Sequence, residues 1–184
     1  LELEFAQKFI SSKNYRLHYD SISDLKGNLA LNQFVDFTSE LILQPVALNI
    51  LITEIMADPT PVVGLPEKEF VEIKNVSAQK LDLTDCILTD GSPESKLPKY
   101  ILDSDANLIL CNMRDTQEFK LFGSVLGLSS FPSLNNSGDL VSLRNKNHEI
   151  INEVNYSDSW YRSSIKKDGG YTLELINTGS PCSG

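Results

Sequence analysis

The chain has 184 residues, with 16 Lys and Arg against 25 Asp and Glu and a formal net charge of −9. A composition of 41% hydrophobic and 22% charged residues is that of a globular chain, and the acidic balance disfavours a nucleic-acid partner, whose phosphates call for a basic stripe. Three cysteines exclude a disulfide-dense scaffold, and no apolar run reaches the roughly 18 residues of a membrane span, so no membrane insertion is expected.

Apolar residues recur mostly with period two, in short runs. Leu1, Leu3 and Phe5 alternate with Glu2 and Glu4 and predict a strand; Tyr15, Leu17 and Tyr19 predict a second and Phe34–Phe37 a third. Pro45 interrupts the next apolar run, so a boundary is expected near Gln44–Asn49, dividing the chain into 1–46 and 47–184. Strands are then predicted at Ile50–Met56, Phe70–Asn75, Cys86–Thr89, Leu108–Cys111, Leu140–Leu143, Ile150–Tyr156 and Tyr171–Ile176. Asp115–Phe122 breaks the alternation, with Gly123 as a stop, and predicts the one short helix. Turn chemistry fills the gaps, including Asp90-Gly91-Ser92-Pro93 and Asp168-Gly169-Gly170. Many short strands without βαβ alternation predict an all-β sandwich or barrel. The chain starts at Leu1 with no signal-peptide pattern, so it is expected to be part of a longer protein.

The candidate chemistry is sparse. His18 and His148 have no second histidine at zinc-ligand spacing, and no Gly-x-Ser-x-Gly elbow occurs. Cys86 shares strand parity with Leu88 and is expected in the core, Cys111 ends an apolar strand, and Cys182 either bridges to one of them or pairs elsewhere. Carboxylates are the most suggestive group. If Ile52–Met56 pairs antiparallel with Phe70–Lys74 and Met56 faces Phe70, then Glu54 faces Glu72, while Ile55, Val71 and Ile73 take the other parity and face the core. Like charges directly opposed are unfavourable unless a cation, a Lys or Arg neighbour, or solvent relieves them. Glu54, Asp58 and Glu72 are therefore a candidate calcium set, weighed against a solvated acidic surface, since no Asp-x-Asp-x-Asp-Gly loop exists. Two close carboxylates also form a glycosidase pair in principle, but a sandwich offers no cleft for a sugar. Trp160 and Tyr161, polar-flanked after a strand, are a candidate contact surface for a protein or a surface glycan. The alternative is rings folded back over the sandwich edge.

Six segments in order resemble bacterial lamin-tail domains: Ile52–Pro59, Glu69–Asn75, Leu81–Asp90, Asn107–Cys111, Leu134–Leu143 and Tyr171–Glu174. Cys86 stands where that family usually has Trp. The resemblance implies an immunoglobulin-like β-sandwich with an interaction role and no shared catalytic residues. Asn14–Leu17 followed by Ile22–Asn28 is similar to the C-terminal half of a bacterial Ig-like domain of the surface-layer type, which would make 1–46 a partial domain. Together these resemblances imply a non-catalytic interaction, adhesion or spacer module of a larger secreted or cell-surface bacterial protein, touching the neighbouring domains of its own chain. The rivals are a calcium- or glycan-binding module and an accessory domain of an enzyme, such as a nuclease, whose catalytic part lies elsewhere.

Overall fold

The computed structural model describes residues 13–181 together with Phe5 and Phe9. The strand expected at Leu1–Phe5 and the pairing of Cys182 fall on residues outside these, Phe5 excepted. The chain divides into two units, 1–41 and 42–184.

Residues 13–41 of the first unit form a long β-ribbon. Strands β1 (Asn14–Tyr19) and β4 (Gln33–Thr38) pair antiparallel, and β2 (Ile22–Ser23) pairs with β3 (Leu29–Ala30) nearer the tip. One register runs from Asn14↔Thr38 to Ser23↔Leu29, so the two ladders are one hairpin with an interruption. At the interruption Ser21 and Asn32 take left-handed φ of 57° and 48°, and the Asp20 carboxylate accepts both of their backbone N–H groups, at 2.8 and 3.0 Å. The Asp24 carboxylate closes the tip by accepting the N–H groups of Lys26 and Asn28. Alternation places Tyr15, Leu17 and Tyr19 on one face with Val35 and Phe37 opposite, and Tyr15 stacks on Phe37 with ring centroids 5.8 Å apart. The other face carries the Arg16–Asp36 fork, at 2.6 and 2.8 Å.

The second unit is an immunoglobulin-like β-sandwich. It comprises β5 (Ile42–Leu43), β6 (Ile50–Met56), β7 (Phe70–Asn75), β8 (Lys80–Asp82), β9 (Ile87–Thr89), β10 (Ser95–Lys96), β11 (Ile101–Leu102), β12 (Asn107–Asn112), β13 (Val125–Leu128), β14 (Gly138–Arg144), β15 (Ile150–Ser157) and β16 (Leu173–Glu174). A five-stranded sheet runs β13-β12-β7-β6-β16, a four-stranded sheet β10-β9-β14-β15, and a small sheet β11-β8-β5. Because Ile42–Leu43 pairs with β8, the division falls at Leu41, a few residues before the expected Gln44–Asn49.

The main core lies between the sheets: Ile52, Ile55, Val71, Ile73, Leu108 and Leu110 from one side meet Leu88, Val141, Leu143, Ile151 and Tyr156 from the other. Cys86 is fully buried there, as its parity predicts. A bulge makes the β6 pattern work. The register shifts between Ile52 and Glu54, so Thr53 is the extra residue and Ile52 and Ile55, three positions apart, both reach the core. The Asn152 carboxamide oxygen accepts the Ile52 N–H beside this bulge, at 2.9 Å.

The outer face of the five-stranded sheet is also covered at one end. Met56, Phe70, Ile109 and Cys111 pack there with Phe119, brought down by α1 (Thr116–Phe119), the helix expected within Asp115–Phe122. Two nearby phenylalanines do not join it: Phe122 is half exposed after the helix has ended, and Phe131 packs against the main core. A second single turn, α2 (Ser164–Lys167), was not legible as a helix; Ser163 caps it through the Lys166 N–H. Asn75 is fully buried and acts as a hub. Its amide donates to the carbonyls of Gln79, Leu102 and Asp103, and its oxygen accepts from the Ser77 N–H and hydroxyl.

Candidate functional site

The segment joining β6 to β7, residues 57–69, crosses one end of the sandwich. There it lines a depression of about 550 Å³ together with Asn112, Asp115, Phe131, Ser133 and Asn136. Its wall is acidic. Thr60 donates its hydroxyl to Glu67 at 3.2 Å, and Lys68 lies 3.6 Å from Asp115. Burial pushes the Glu69 carboxyl up to about 6, against a stabilising hydrogen bond from the Leu134 N–H and with the charge of Asp90 adding to the rise.

What holds this loop in place is the Asp168-Gly169-Gly170 turn. The Gly170 N–H donates to the Asp58 carbonyl at 2.8 Å. Both glycines adopt left-handed φ, 101° and 79°. A Cβ on Gly169 would lie 2.0 Å from the Thr60 carbonyl oxygen, and one on Gly170 would lie 2.1 Å from that of Pro61. Only glycine fits either position, by conformation and by space. The sequence marks these residues as a turn; their contact with a loop a hundred residues earlier leaves no local signal.

The same contact brings Asp58 towards the second candidate surface. After β15 a 3-10 turn, Asp158–Tyr161, is capped by the Ser157 hydroxyl, which accepts the Ser159 N–H. Tyr161 is half-buried and its hydroxyl donates to the Tyr171 carbonyl at 2.8 Å. Burial raises its pKa, with Asp58 and Asp158 adding to the shift, which places this ring in the field of the acidic loop. Trp160 is 49% exposed. Of the two aromatics, Tyr161 is folded back and pinned, and Trp160 faces outward.

The three acids of the candidate calcium set part company. Glu54 does stand opposite Glu72, in the expected register with Met56 opposite Phe70. That pair sits on the outer face of the five-stranded sheet, where Glu72 accepts from the Thr53 hydroxyl at 2.7 Å and the Asn107 amide at 2.9 Å. Asp58 follows the end of β6 and is turned into the depression, where its carboxylate faces the Thr60 N–H at 3.4 Å. Among the described residues, no group of three or more His, Cys, Asp and Glu side chains is arranged to hold a metal ion. Cys86 and Cys111 are buried free thiols, and burial pushes them up to about 12 and about 11. Neither is poised as a nucleophile. No helix of the described residues is long and apolar enough to cross a membrane.

Two layers of short strands enclosing one core, with loops gathered at an end, define an immunoglobulin-like module. A sequence model of the lamin tail domain matches residues 44–158, more than half of the chain, and the chain belongs to that family. The lamin tail domain is a generally non-catalytic type of domain. No curated protein matches the chain.

Proposed function

We propose that the sandwich is a non-catalytic contact module of a larger secreted or cell-surface bacterial protein, meeting a protein or a surface glycan through the end that carries Trp160. The observation that supports this reading is the contrast between neighbours. Tyr161 is tied to the Tyr171 carbonyl, while the Trp160 indole on the same short turn is half exposed. An aromatic ring held on a fixed mount offers contact area at little entropic cost. The ribbon Asn14–Thr38 fits the closing strands of a preceding bacterial Ig-like domain, since its described strands form a two-stranded ladder that leaves Val35 49% exposed.

Trp160 is the sole tryptophan, so its emission reports on this end directly. Titration with soluble cell-wall glycan fragments, and separately with the neighbouring domains of the full-length chain, is expected to shift the emission. Trp160→Ala should weaken that binding about tenfold or more, as removal of a contact hot spot does, without lowering the melting temperature. Unchanged emission with both probes rejects the contact reading and leaves a spacer.

A further inference from the structure

We propose that β16 is a proton-controlled latch: a short edge strand that grips β6 in acid and loosens towards neutral pH, through a row of three glutamates that its docking assembles. The grip is small. Leu173 pairs with Ile55, Glu174 pairs with Glu54, and the Leu175 N–H donates to the Thr53 carbonyl at 2.7 Å. Leu173 packs against the main core. The registers of β16, β6 and β7 put Glu174, Glu54 and Glu72 side by side across three strands.

Like charges directly opposed on a sheet oppose the pairing that brings them together. The groups acting on Glu54 are the hydroxyl of Thr172, a neutral donor that favours the charged form, and then Glu72 from β7 and Glu174 from β16, which oppose it; the same hydroxyl lies 3.5 Å from the Glu174 carboxylate. The cation next along β7, Lys74, lies 2.7 Å from Asp105. Glu72 is held by the neutral donors Thr53 and Asn107. Glu54 is half-buried, and its carboxyl is raised above the ordinary value by burial, against the Thr172 hydrogen bond and with the charges of Glu72 and Glu174 adding to the rise. Glu174 stands opposite Glu54 only when β16 is docked, so that opposition makes the docked form bind the proton more tightly than the undocked form. Docking is therefore fully supported below the ordinary carboxyl range and loses that support as pH rises through the raised value. Loosening β16 uncovers the backbone edge of β6, a free strand edge of the kind that accepts another strand.

The test is amide hydrogen exchange on the full chain between pH 5 and pH 8, corrected for intrinsic exchange, with the Leu175 amide compared against the Ile73 amide in β7. Relative protection of Leu175 should fall about two- to five-fold across that range, the size of one opposed pair. Glu54→Gln should abolish the fall, and Glu174→Gln should reduce it. Constant relative protection in the unaltered chain overturns the proposal, and so does a fall that persists in Glu54→Gln. Restoration of Leu175 protection at pH 8 by calcium chloride would also overturn it, because the row would then be a cation site and not a proton switch.

Discussion

The ribbon and the sandwich are written in the same period-two code, and they differ in what lies behind the strands. In the sandwich, inward residues of the five-stranded sheet such as Val71 and Leu110 are fully buried against a second sheet. In the ribbon, Val35 on the apolar face is 49% exposed, and Phe34, on the face of the Arg16–Asp36 fork, is 56% exposed. Arg16 covers one side of Phe34, 4.3 Å from the ring centroid, Tyr15 stacks on Phe37, and Phe9 meets both of those rings edge-on. Those contacts shelter rings without enclosing them. Strand pattern sets which face is apolar, and a second layer turns that face into a core.

The widest separation between the units should come from truncating one apolar side chain in each. Leu88 is fully buried between the sheets, so Leu88→Ala should destabilise the sandwich by about 2–5 kcal/mol, the lost transfer energy plus a cavity. Val35→Ala removes a side chain that already meets water and should leave the sandwich transition in place. Chemical denaturation followed by far-UV circular dichroism reads both. A neutral Leu88→Ala would break the assignment of that strand to the core, and a Val35→Ala variant that unfolds the sandwich would break the division at Leu41.

The next effect concerns the end of the sandwich. Gly170→Ala forces a Cβ to within 2.1 Å of the Pro61 carbonyl oxygen at a φ of 79°. The left-handed conformation alone costs a non-glycine residue about 1–2 kcal/mol, and the overlap must be relieved by moving the 57–69 loop as well. A loss of at least about 2 kcal/mol is expected. The turn at Gly27, also left-handed, has nothing within 4 Å of a Cβ position, so Gly27→Ala should cost only the conformational part. Thermal melts of the two variants compare a glycine needed for space with one needed only for conformation.

These elements also show how far sequence reaches. The β6–β7 register, with Glu54 opposite Glu72, is legible because one face must be apolar and a one-residue slip would bury both glutamates. The bulge at Thr53 is not legible, because Ile52 and Ile55 read as a break in alternation until the core is seen to need both. The outer cluster of Met56, Phe70, Ile109, Cys111 and Phe119 was readable only in part. Its strand members look like the other side of a two-faced apolar run, and only a helix folded back over the sheet gives that side a partner. Asp58 and Tyr161 belong to segments a hundred residues apart, joined by the Gly169-Gly170 turn. Glu174 could have been paired with Glu54 from the same parity argument once β16 was placed on β6, but a two-residue edge strand carries too little pattern to fix its partner.

Acid should separate the two units by sign. In the ribbon, the hydrogen bond and charge of Arg16 hold the Asp36 carboxyl below its ordinary value, and the Asn28 side chain and N–H do the same for Asp24. Carboxylates lowered on folding support the structure above their ordinary range and lose that support as pH falls through the lowered value. Both groups are fully exposed, so their contribution is small. At the depression the sense is reversed. Glu69 is raised to about 6, so its support is complete below the ordinary carboxyl value and is lost as pH rises through about 6. Glu69→Gln keeps an acceptor for the Leu134 N–H and removes the charge that faces Asp90. The variant should melt slightly higher than the parent at pH 7–8, and the gap should close by pH 4. A gap that is constant across that range would mean that Glu69 acts through packing and not through its charge.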